Sequence, residues 1–114
     1  MAKSNKPIFW SLFAAGGTLA AFLAPALAVL FLMATLGHAP GMLTYAGLHA
    51  FAAGWFGKLF LMGVVTLFLW HAAHRLRVTM HDFGLRQDSV VAVVVYAIAA
   101  LGTISTLVSL LSIK

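Results

Sequence analysis

Trp70, His71, His74, Arg75, Arg77, His81 and Asp82 fall within one short stretch at the end of an apolar run of membrane grade. Imidazole takes up and releases protons near neutral pH. Guanidinium donates hydrogen bonds from a fixed positive charge, and so steadies negative charge developing on a nearby oxygen. The two groups side by side at a membrane edge suit a quinone headgroup, whose oxygens exchange protons as the ring exchanges electrons. Upstream, no Asp, Glu, Lys or Arg occurs from Pro7 to Gly57, and Lys58 alone interrupts the run to Arg75. The ionisable groups are few, and they are concentrated at one depth.

On a helix, Trp70, His74, Arg77 and His81 are spaced i, i+4, i+7 and i+11 and share one face. His71, Arg75 and Asp82 form a neighbouring stripe about 100° away, as the 3.6-residue period requires. The plainer reading makes such residues interfacial anchors, with Trp at headgroup level and Arg reaching to phosphates. That reading is preferred for Arg77 and Arg86, so loss of Arg77 is expected to be nearly silent. For His74 and Arg75 a site is preferred, because ionisable groups at the end of an apolar span are costly and face a partner or a cavity. Trp10 sits at the corresponding depth of the first apolar run, where spacing alone makes it an aromatic-belt residue.

The elements that must hold these residues follow from composition. The 114 residues are 63% hydrophobic and 8% charged, against about 45–50% apolar and 25% charged in soluble domains. Three spans of roughly 20 residues fit this length. They are expected at about 8–36, 54–76 and 89–113, in a single all-α integral membrane domain covering 1–114, because lipid demands internally satisfied backbone groups. Gly37-His38-Ala39-Pro40-Gly41 reads as the first turn. Pro25 is expected to kink the first span, and Asp88-Ser89 to cap the third. Stripes of small residues (Gly16, Ala20 and Ala24; Gly17, Ala21 and Ala28; Gly102, Thr106 and Ser109) would let helices approach closely. The net charge of +5 arises from nine charged residues without a polar basic face, which argues against nucleic-acid binding. With no cysteine, this chain supplies no disulfide, iron–sulfur ligand or nucleophilic thiol.

Lys3 and Lys6 precede an apolar run in which Ala26-Leu27-Ala28 imitates a cleavage site, but the run continues to Leu36, so an uncleaved span is expected. Lys3, Lys6, Arg75, Arg77 and Arg86 flank one side of the membrane, and only Lys58 and Lys114 the other. This asymmetry predicts a cytoplasmic N-terminus and 75–88 loop, and a periplasmic C-terminus.

The block Lys6-Pro7-Ile8-Phe9-Trp10-Ser11-Leu12-Phe13-Ala14-Ala15-Gly16-Gly17, then Ala24-Pro25, then Leu69-Trp70 with His74-Arg75 and Met80-His81-Asp82, resembles the D subunit of bacterial fumarate reductase. The likeness covers essentially the whole chain. It implies a non-catalytic membrane anchor of a quinol:fumarate reductase in the bacterial inner membrane. The implied partners are membrane lipid and the A (flavoprotein), B (iron–sulfur) and C (membrane) subunits of fumarate reductase. It further implies that menaquinol, used in anaerobic respiration, binds at an interface with those subunits, and that this chain alone holds no cofactor and no metal. The residues carried over as quinone-binding are Trp10, His74 and Arg75. Phe51-Ala52-Ala53-Gly54 lacks polar side chains that some relatives carry, and Arg77 and Val78 replace residues that are often His.

Two alternatives have different signatures. A b-haem anchor, as in succinate dehydrogenases, would need an axial imidazole from His71 or His74 with a second from another chain. A small multi-span transporter usually places a carboxylate within a span, and neither Asp82 nor Asp88 lies inside an expected one.

Overall fold

Lipid-compatible helix dominates the chain. The computed structural model describes residues 6–114, apart from the side chains of Lys6 and Phe9. Lys3, which contributes to the expected orientation, lies outside the described residues. The order is α1 (Lys6–Thr35), a 3-10 turn (Gly41–Leu43), α2 (Tyr45–Ala53), α3 (Trp55–Asp82) and α4 (Asp88–Ser112). Three segments are long and apolar enough to cross a membrane: Trp10–Thr35 with 26 residues, Trp55–Asp82 with 28 and Asp88–Ser112 with 25. At about 1.5 Å per residue they reach about 38–42 Å, beyond the ~30 Å of a hydrocarbon core.

The second span lies within the longer helix α3. The helix that carries it runs past residue 76 to Asp82, with the whole polar cluster in helix. Nothing in Arg75 to Asp82 disfavours a helix; the stop is Gly84, whose φ of 87° only glycine adopts cheaply. There the Gly84 N–H donates to the His81 carbonyl at 3.0 Å and the Leu85 N–H to the Met80 carbonyl at 3.2 Å. This is a Schellman stop, and Gly37 (φ 79°) ends α1 in the same way. Pro25 lies inside α1 without ending it. The cap expected from Asp88 is absent: Gln87 holds the cap position without a side-chain bond, and Asp88 opens the first turn of α4. The sequence expectation also lacked α2, a short helix capped by Thr44, whose hydroxyl accepts from the Gly47 N–H at 3.2 Å.

Packing centres on α3, which meets α1 on one side and α4 on the other. Small side chains set both contacts. Between α3 and α4 the buried core is Ala73, Val95 and Ala99, flanked by Leu69, Val91 and Tyr96. Between α1 and α3, a Cβ on Gly16 would lie 2.6 Å from the Leu67 carbonyl oxygen, and one on Gly17 2.8 Å from the His71 ring. The glycines read from the sequence as packing signals therefore serve contacts within this chain. Ala24 and Ala28, further along the same stripes, are exposed. At the opposite end, Lys58 donates to the Ile113 carbonyl at 2.8 Å, tying the start of α3 to the end of α4.

Candidate functional site

Because α3 separates α1 from α4, their ends near the 83–87 turn leave a cleft whose floor is α3. Its volume is about 1060 Å³. Pro7, Trp10, Leu12 and Phe13 form the α1 wall, Thr66, Leu67, Trp70 and His74 the floor, and Tyr96 the α4 wall. The lining is mostly apolar and aromatic, with polar groups at a few points, as expected of a small-molecule site.

His74 and Trp70 are each held from a second helix. His74 Nδ1 lies 3.1 Å from the Tyr96 hydroxyl, and the Phe13 ring is tilted against the imidazole with centroids 4.5 Å apart. Among the described residues His74 Nε2 has no partner. Trp70 stacks on Tyr96 at 5.8 Å and donates its indole N–H to the Thr103 hydroxyl at 3.2 Å. Thr66 Oγ1 is buried on the cleft floor with no hydrogen-bond partner among the described residues.

Trp10 and His74 thus meet at one cleft. Trp10 is 68% exposed, so its ring is open to what enters or covers the wall. Arg75 points elsewhere: it is exposed, lines neither cavity, and its guanidinium has no partner among the described residues. His71 is turned towards α1. Its Nδ1–H donates to the Phe13 carbonyl at 3.1 Å, and the imidazole stacks on the Phe13 ring at 4.6 Å and 14°.

Arg77 is not the free anchor that its position suggests. Nε donates to Asp88 Oδ1 at 2.8 Å, Nη2 donates to Oδ2, and the guanidinium lies over the Tyr96 ring at 5.9 Å. The bidentate pair joins the end of α3 to the start of α4, and it occupies the carboxylate that would otherwise cap α4. A second cavity of about 390 Å³ lies beside it, lined by His74, Arg77, Val78, His81 and Asp88. His74 borders both cavities.

Sequence reasoning passed over Tyr96, Thr66 and Phe13. Tyr96 had a legible signal. His74 and Tyr96 are equally far from the 83–87 turn on adjoining antiparallel helices, so about 12 Å of helical rise brings them to one depth. Thr66 and Phe13 carried none, since an isolated Thr or Phe in a span is ordinary.

A profile of the family described as the D subunit of fumarate reductase matches residues 1–111. The fumarate reductase D subunit of Aliivibrio fischeri (strain MJ11) is 36% identical over 108 residues, which is 93% of this chain and 90% of the relative. That of Vibrio parahaemolyticus is 39% identical over 103 residues, 89% and 82% of the two chains. That of Vibrio cholerae is 42% identical over 82 residues, 70% and 63%. With three membrane-length helices and likeness along almost its whole length, this chain belongs to the family of the fumarate reductase D subunit, which is a membrane component of the fumarate reductase complex.

Proposed function

We propose that the protein anchors the catalytic part of a quinol:fumarate reductase to the bacterial inner membrane as one membrane domain, and contributes one wall of the menaquinol site. It is non-catalytic by itself. The partners in this reading are the flavoprotein and iron–sulfur subunits, together with the second membrane subunit. The quinol is held between this chain and those partners.

The observation that carries the reading is the cleft. It is aromatic-walled, as a flat apolar ring requires, and it presents His74 where a ring oxygen would be held. When bound, the quinol supplies the electrons and protons. The chain's residues bind and orient it: Trp10, Trp70 and Phe13 offer ring faces, and His74 Nε2, with Nδ1 fixed by Tyr96, takes a proton. Arg75 enters from its place beside His74 and from the family resemblance, as a cation at the same depth on the face left for partners.

The test compares quinol-driven with dye-driven fumarate reduction in membranes containing matched amounts of complex. His74→Ala should lower the ratio by about 10²–10⁴-fold, the usual worth of a positioned acid–base group. Arg75→Leu and Trp10→Ala should weaken quinol use while dye-driven turnover survives. An unchanged ratio in all three would move the quinol chemistry to the other subunits.

A further inference from the structure

His74 stands in the partition between two cavities whose lining residues differ. One is the aromatic cleft; the other is smaller and lined by Arg77, His81 and Asp88 at the 83–87 turn. A quinol that gives up two electrons, which end on fumarate through the partner subunits, also gives up two protons. A proton taken by His74 cannot accumulate there, since the imidazole must be neutral again for the next turnover. The aromatic lining of the cleft offers few groups to take it on, whereas the second cavity is lined by His81, Arg77 and Asp88.

We propose that the polar cavity behind His74 is the exit by which a quinol proton, once on the imidazole, reaches water at the 83–87 turn, with His81 as the next base and Asp88 as the charge that keeps the route open. This rests on the quinol reading above. Asp88 matters through Arg77. A lone guanidinium at this position would repel a proton on His74 and on His81 alike. The bidentate carboxylate neutralises it. The groups facing His74 are then Tyr96 and the Arg77–Asp88 pair towards α4, His71 and His81 on α3, and Trp10 and Phe13 on α1. None of these described groups is an uncompensated charge; the unpaired Arg75 guanidinium beside His74 is exposed and lines neither cavity. His81 itself is exposed at the end of α3, beside the 83–87 turn.

The test uses the assembled complex in membranes. Asp88→Asn leaves Arg77 unpaired and should slow quinol-driven turnover roughly 10-fold, somewhat less than loss of the acid–base group itself, while dye-driven turnover and the quinol KM hold. Adding Arg77→Gln to Asp88→Asn removes the repelling charge and should restore much of the rate. A mere clamp between helices would leave the double variant no better than the single one, which would overturn the proposal. His81→Gln changes an exposed residue that no fold contact needs. It should slow the same step and recover when a small weak acid such as acetate is added as a mobile proton carrier. Equal quinol-driven rates in His81→Gln and the parent, or slowing that the weak acid does not relieve, would also overturn it. If His74→Ala lowers the ratio of the two activities while these variants do not, the exit fails and the quinol reading stands; if His74→Ala leaves the ratio unchanged, the quinol reading fails first.

Discussion

His71 gives its Nδ1 proton to the Phe13 carbonyl and its ring face to Phe13, and Gly17 leaves room for it. Three residues on, His74 lies against Tyr96 with Nε2 uncommitted. One histidine holds α1 to α3, and the other faces a cavity. Gly17→Leu should therefore displace His71 and separate the helices, at about 1–3 kcal/mol for overpacking of a tight contact. The check is the thermal midpoint of the complex in detergent, where a parental value would show that His71 tolerates displacement. Arg77→Ala should cost about 0.2–1 kcal/mol, because the pair with Asp88 is partly exposed and such pairs contribute little. A double-mutant cycle with Asp88→Ala should recover that coupling, and zero coupling would return Arg77 to the role of a lipid anchor. The sequence placed Trp70, His74, Arg77 and His81 on one face, and that face does meet α4 or its turn. It could not say that Arg77 would find Asp88, since a bidentate pair depends on how tightly the 83–87 turn closes. Nor could it separate His71 from His74 by task, because that follows from which neighbour each stripe meets.

Among elements, α3 is the organiser, and its two ends are held differently. At its start, the α2–α3 junction is so close that a Cβ on Gly57 would lie 1.7 Å from the Phe51 carbonyl oxygen. The obstacle is backbone, which has no rotamer to yield. Gly57→Ala should therefore detach α2 and open the 51–57 segment to protease in isolated membranes, and persistent resistance there would show that the junction has slack. The three long helices were legible because apolar length is a strong signal. The short α2 was not: nine residues of Tyr, Ala, Gly, Leu, His and Phe have no distinctive period, and the helix rests on the Thr44 cap and contact with α3. The apolar run expected to end near residue 76 and the end of α3 at Asp82 are separate boundaries. Polarity sets where a helix leaves lipid, whereas a left-handed glycine sets where it stops. The difference has a functional consequence, since the extra turns carry Arg77 and His81 beyond His74 as one rigid rod.

At the scale of the molecule, no large side chain among the described residues is fully buried, and aromatic residues such as Phe22, Phe31, Trp55 and Phe56 are at least 70% exposed. So much exposed apolar surface requires lipid, partner helices or both. Expressed without its partners, the chain should be degraded or aggregate, and a monodisperse, protease-resistant monomer in detergent would contradict this. Orientation follows from the ends of the same helices. Arg75, Arg77 and Arg86 lie towards the cleft end, whereas Lys58 lies beside Ile113 at the other, close to Lys114. Basic residues near span ends favour the cytoplasm, so the cleft and its polar exit should face that side and Lys114 the periplasm. A fusion of alkaline phosphatase after Lys114 should be active, and a fluorescent protein at the same point dark. A fusion inserted at Gly84 should give the opposite pattern. Inactive phosphatase with a bright fluorescent fusion at Lys114 would invert the topology and would require protons leaving by the His81 cavity to emerge in the periplasm, which makes this placement the measurement on which the direction of proton release turns.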